Sequence, residues 1–239
     1  MPEEPLKLFG TLADRLPEKG DGDRLRENAQ AAIAAIPLVG GATNLVLDRV
    51  FPSAFRERLK AWQRELAEII EDLRRRVGDL EAESRTSEKG FVTAVYQATA
   101  ISLATHRKEK HEYLHNALLN IGIGNSPSED LRQIFLKAID DLTPLHITIL
   151  KFLHKGTTQM KQRGLWSPQN SREIKSFTAA ILALHPDLRP LQDTLTHVIT
   201  DLYNCGFTPI RTADQSFPQS PAITNHGTAF LSFIKEPPR

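Results

Sequence analysis

Between Ser53 and Leu80, apolar residues return every three or four positions: Leu59, Trp62, Leu66, Ile69, Ile70, Leu73, Val77 and Leu80. Charged residues fill most of the places between them. That period puts one apolar stripe along an α-helix, and the stripe needs a surface to lie against. Over roughly 25–30 residues it describes a bundle helix or a short coiled coil. Ser53 is placed to cap its start, although Arg56 stands where a capping box would have an acid. Gly78 costs about 1 kcal/mol relative to alanine and predicts fraying at the far end.

The rest of the chain reads mainly as helix. Ser84 to Gly90 is a polar break, and Phe91 to about residue 121 predicts a second long helix. Ser128 caps a third helix carrying Leu131, Ile134, Phe135, Ala138, Ile139 and Leu142. Thr143–Pro144 opens a fourth, with proline at the first helical position. Lys155 to Ser171 reads as loop, since it holds Gly156, Gly164 and Pro168. Helices over about 171–184 and 189–204 follow. Short strands are expected at Phe207–Ile210 and Ala222–Ile223, and Thr224 caps a last helix. The expected architecture is a flexible segment over residues 1–28, a helical bundle over 29–142, and a small winged-helix-like α+β domain over 143–236.

Composition narrows the classes of function. Of 239 residues, Lys+Arg 30 and Asp+Glu 29 leave a formal charge of +1, without the basic excess of a dedicated nucleic-acid binder. The lone Cys205 excludes an internal disulfide and suits a reducing compartment. The start, MPEEPLKLFG, lacks the order of a secretory signal, so a cytoplasmic protein is expected.

Two motifs invite chemistry. His111–Glu112–Tyr113–Leu114–His115 matches H-E-x-x-H, which on a helix sets two imidazoles one turn apart beside a general base. A third ligand is missing and the preceding HRKEK run is cationic. A solvated helix face therefore outweighs a zinc hydrolase, and no metal, cofactor or catalytic residue is expected. His106, His111 and His115 could also form a pH-responsive cluster, with idle surface histidines the plainer reading. Cys205 has His197 and Asp201 upstream on one helix, but local proximity makes no triad, and a small buried thiol is expected. A DNA-reading role for the second half meets a recognition helix, Leu191 to Asn204, that carries Asp193 and Asp201 and no Lys or Arg. Nucleic acid is a disfavoured partner; a protein partner or self-association is favoured.

The segment AQAAIAAIPLVGGATNLVLDRVF holds the remaining candidates: Ile33, Ile36, Pro37, Leu38, Val39, Gly40, Gly41, Leu45 and Val46. It reads either as a buried helical hairpin or as a membrane-engaging one, similar to the N-terminal segments of helical cell-death effectors. Its breaks argue against a single stable span.

IPLVGG (36–41) with the Trp62 helix, EDLRQIFLKAIDDLTPLHITILKFL (129–153) and ITNHGTAFLSFI (223–234) together resemble the abortive-infection alpha group of bacterial proteins. The resemblance covers about residues 29–236 and rests on apolar patterning and turns. It implies a role in bacterial defence or stress, through growth arrest, and brings no catalytic residues with it. The expected function is that of a non-enzymatic interaction or effector protein, with a winged-helix nucleic-acid regulator and a membrane-perturbing effector as rivals.

Overall fold

The structure, a computed structural model, describes residues 52–165, 174, 176–216 and 221–238. Helix α1 (Pro52–Val77) carries the amphipathic stripe, and Trp62, Leu66, Ile69 and Leu73 are buried along it. The stripe stops at Val77. Gly78 adopts φ 83°, a left-handed conformation that side chains other than hydrogen rarely tolerate. The next helix, α2 (Asp79–Ser87), leaves on a new heading. Arg74 donates to Asp79 across the break at 2.7 Å. Leu80, expected on the stripe, is therefore turned outward and 86% exposed, while Ala82 takes the inward place.

Helix α2 also runs through most of the polar stretch Ser84–Gly90, where a break was expected. The interruption is a single extended residue, Glu88, before α3 (Lys89–Ala104). The single helix expected to residue 121 is divided. Thr105 is extended and its hydroxyl accepts the Arg107 N–H at 3.2 Å, so the chain turns before α4 (Lys108–Gly122). Helix α5 (Glu129–Asp141) follows, with Ser128 at its N-cap as read from the sequence. Helices α1, α3, α4 and α5 pack on one another as a bundle. At its centre the Trp62 indole donates to Thr99 Oγ1 at 2.8 Å, satisfying a donor that burial would otherwise penalise.

Helix α6 (Pro144–Gln162) begins at Thr143–Pro144, as the sequence indicates, and extends into the region expected to be loop as far as Gln162. Gly156 does not break it. A Cβ there would lie 2.7 Å from the Phe152 ring, so glycine serves close packing at that point. Against α6 lie α7 (Phe177–Leu184) and α8 (Leu195–Asn204), joined by a 3-10 helix over Pro186–Thr194, and α9 (Asn225–Phe233) packs on both α4 and α6. Thr224 caps α9 by accepting the Gly227 N–H at 3.0 Å.

The winged-helix expectation is corrected. Among the described residues there is no strand, only one isolated antiparallel bridge between Ser176 and Ser216. The two expected strands do lie side by side, with the Thr224 N–H donating to the Phe207 carbonyl and the Thr208 hydroxyl to the Ala222 carbonyl. No ladder follows. Pro209 and Pro221 have no N–H to give, and the Ala222 N–H donates to the Leu153 carbonyl of α6 instead.

The buried residues form one apolar cluster, from Trp62 on α1 to Ile234 beyond α9. Aromatic rings tie its two ends together: Phe135 of α5 meets Phe230 and Phe233 with centroids 5.4 and 5.5 Å away, and Phe207 stacks on Phe230 at 4.6 Å. No helix among the described residues is long and apolar enough to cross a membrane. The N-terminal segment over 1–28 and the apolar candidates Ile33 to Val46 lie outside the described residues.

Candidate functional site

Helix α4 carries the H-E-x-x-H residues, and α1 decides what they do. His111 Nδ1 lies 3.0 Å from Glu65 Oε2, and its ring meets Trp62 edge-on at 6.0 Å. The histidine thus ties α4 to α1. Glu112 is exposed and His115 half-buried. Burial, then the charges of Glu112 and Glu109, push the Tyr113 hydroxyl pKa up. Among the described residues no three His, Cys, Asp or Glu side chains are grouped to hold a metal ion.

The fullest polar constellation sits where α5 ends, α6 begins and α8 passes over them. His146 is buried at the third position of α6. Its Nδ1 accepts the Thr143 N–H at 3.2 Å and lies 2.8 Å from Thr143 Oγ1; its Nε2 is 3.3 Å from Asp201 Oδ2. Because Nδ1 is an acceptor, the ring proton belongs on Nε2, facing the carboxylate. Hydroxyl, imidazole and carboxylate stand in the order of a nucleophile relay. The hydroxyl, however, also accepts the N–H of His146 in a capping box, a task that holds it to the helix end. Asp201 is 57% exposed, so its contact with the imidazole is worth little by itself.

Cys205 is half-buried near the same carboxylates. Burial raises its thiol pKa first, and the negative charges of Asp141 and Asp201 raise it further. A thiol so held is a poor nucleophile near neutrality. Iodoacetamide at neutral pH is therefore expected to alkylate Cys205 more slowly than it does a free cysteine. Asp201→Asn should speed the reaction, as read by mass spectrometry over time, and an unchanged rate would show that the carboxylate is irrelevant.

A second polar cluster fastens the end of the chain. Asn120 is 1% exposed, and its amide nitrogen lies 3.0 Å from the Phe233 carbonyl, 2.9 Å from that of Lys235 and 2.9 Å from that of Asn116. Its amide oxygen accepts from Asn125, and Asn116 donates to the Ile234 carbonyl. Arg76 of α1 donates to the carbonyls of Pro237 and Pro238. The last carbonyls of α9, which no intrahelical donor reaches, are satisfied by these side chains.

The sequence placed His197, Asp201 and Cys205 along one helix without making a triad of them. The structure gives Asp201 to His146 and leaves His197 exposed. His146 was missed, though Thr143-x-x-His146 across a Thr–Pro helix start is a readable capping signal. Asn116 and Asn120 were missed too; their signal is a pair of amides at i, i+4 inside the apolar run ALLNIG. Along the expected recognition helix the exposed residues are Leu191, Gln192, Asp193, Thr194, His197, Asp201 and Asn204, a face without Lys or Arg.

One buried group is left without a partner on α6. His154 Nδ1 has none among the described residues, and burial, then the charge of Lys155, lower its pKa from 6.5. A lowered folded-state value favours the neutral ring. The stability it gives is full above the unfolded-state pKa, about 6.5, and is lost as pH falls through the folded-state value. Urea midpoints should drop between about pH 7.5 and 5, and His154→Gln should flatten part of that slope.

Comparison with protein-family models, with curated proteins and with solved structures gave no match to this chain.

Proposed function

We propose that this chain acts by binding another macromolecule, as a non-enzymatic helical interaction protein. One observation carries the reading: the histidines of the two constellations that most invite chemistry, His111 and His146, are engaged in holding helices together. His111 ties α4 to Glu65 of α1; His146 completes the α6 cap and meets Asp201 of α8; the Cys205 thiol is held protonated. Each contact supports the packing that surrounds it, and reaction would require breaking that contact first. The resemblance to the abortive-infection alpha group supplies the setting: a bacterial defence or stress response in which the bound partner is part of growth arrest.

The test joins two measurements. Purification of the tagged chain from its native cell should yield a stoichiometric partner or a concentration-dependent oligomer by light scattering. A panel of ester, peptide and phosphoester substrates should show no turnover beyond the buffer rate. Turnover lost in His146→Gln or His111→Gln would overturn the proposal.

A further inference from the structure

We propose that the solvent face of α6 is a contact surface for the phosphate backbone of nucleic acid, independent of base sequence. Between Asp141 and Glu173 the chain has no acidic residue, while Lys151, Lys155, Lys161 and Arg163 fall within or at the end of α6. All four are exposed, with Thr158, Gln159 and Gln162 exposed among them.

Several cations elsewhere in the fold are paired with acids, while others, such as Arg107 and Lys108 at the start of α4, have no acidic partner among the described residues. Lys60 meets Glu57, Arg74 meets Glu71 and Asp79, Arg76 meets Asp72, Arg85 meets Glu81 and Glu88, and Lys137 meets Asp141. Lys155 and Arg163 have no such partner among the described residues. Lys151 rests over the Tyr113 ring, 5.8 Å from its centroid, which leaves its ammonium donors open to solvent. Glu109 and Glu112 lie near that tyrosine, so the acid-free part of the face runs from Lys155 toward Arg163. Lys151, Lys155 and Arg163 thus stand exposed on or at the end of a helix that carries no acidic residue.

The occupant follows from what the face lacks. Protein interfaces are anchored by buried aromatic or aliphatic side chains. The large apolar residues exposed among the described residues are Leu80, Val92, Ile134 and Leu191, none of them on α6. Lysine, arginine, threonine and glutamine are the side chains that contact phosphate oxygens, and such contact needs no apolar anchor. From Lys151 to Arg163 the helix rises about 18 Å, a length over which duplex DNA presents about ten charges. The face is separate from the expected recognition helix, whose aspartates disfavour DNA.

The experiment is fluorescence anisotropy of a labelled duplex of arbitrary sequence, titrated with the full chain between about 50 and 200 mM salt. Binding should weaken steeply with salt, with a log–log slope of about −3 from three to four phosphate contacts. A Lys151→Gln, Lys155→Gln, Arg163→Gln variant should lose at least about tenfold in affinity and most of that slope. Lys60→Gln, on α1, should change neither. Circular dichroism and a thermal melt of the triple variant show that it is folded; if it is not, Lys155→Gln and Arg163→Gln alone are each expected to lower the slope by about one. No binding at the low-salt end would overturn the proposal, as would an unchanged slope in the α6 variants. Binding of labelled polyglutamate in preference to the duplex would overturn it in favour of an acidic protein partner.

Discussion

Asn120→Asp is expected to unfold the protein at neutral pH. The side chain is 1% exposed, and its amide nitrogen faces the carbonyls of Asn116, Phe233 and Lys235 within 3.0 Å. A carboxylate in the same place has no hydrogen to offer and brings a charge toward three carbonyl oxygens. An uncompensated buried charge costs about 3–5 kcal/mol, a large share of the stability of a domain this size. The contact also ties residues more than a hundred positions apart, so its loss frees the end of α9 and the tail that Arg76 holds. Asn120→Leu removes the donors without adding charge and should cost about 2–3 kcal/mol. The two variants separate charge from lost hydrogen bonds. The aspartate must be protonated to stay buried, which raises its folded-state pKa above the unfolded value of about 3.9. Its penalty therefore grows as pH rises through the unfolded value and shrinks toward acid. Urea titrations of both variants at acidic and neutral pH check this, and an Asn120→Asp protein as stable as Asn120→Leu at pH 7 would refute it.

What the sequence made legible was what neighbouring residues decide among themselves. The stripe of α1 repeats within one helix, and the caps at Thr143–Pro144 and Thr224 are settled within four residues. Gly78 was legible as a weak point. Its positive φ, which redirects the chain and exposes Leu80, depends on how α2 packs afterwards. Illegible were pairings set by the folded arrangement. His111 finds Glu65 at a separation of 46 residues, His146 finds Asp201 at 55, and Asn116 finds the Ile234 carbonyl at 118. Periodicity carries no information about such partners. The strand expectation failed for a related reason. Phe207–Ile210 and Ala222–Ile223 have the residues of short strands and do come together, yet the Ala222 N–H is taken by α6. The cations on α6 could be counted in the sequence, but their exposure could not.

Gly227→Ala is the second large effect, and it tests how the end of the chain is seated. Gly227 stands at the third position of α9, where its N–H donates to the capping Thr224 hydroxyl. A Cβ there would lie 2.4 Å from the Phe207 carbonyl oxygen and 2.8 Å from Ile223 Cγ1. The isoleucine can rotate aside; the carbonyl belongs to the backbone and already accepts the Thr224 N–H at 3.0 Å. Relief requires α9 to lift away from Phe207, and the stacked Phe207–Phe230 pair separates with it. Overpacking of this kind costs about 3 kcal/mol, more than the fraction of a kcal/mol that alanine gains over glycine as a helix former. Ile223→Ala removes the softer of the two clashes. If the backbone contact decides, the Gly227→Ala, Ile223→Ala double variant should remain close to the sum of the two single losses, because nothing has been done for the carbonyl. If the isoleucine decides, the second substitution should restore much of what the first removed. Denaturant midpoints of the three variants distinguish these outcomes, and a Gly227→Ala protein as stable as its parent would mean that α9 is not seated against Phe207 as described.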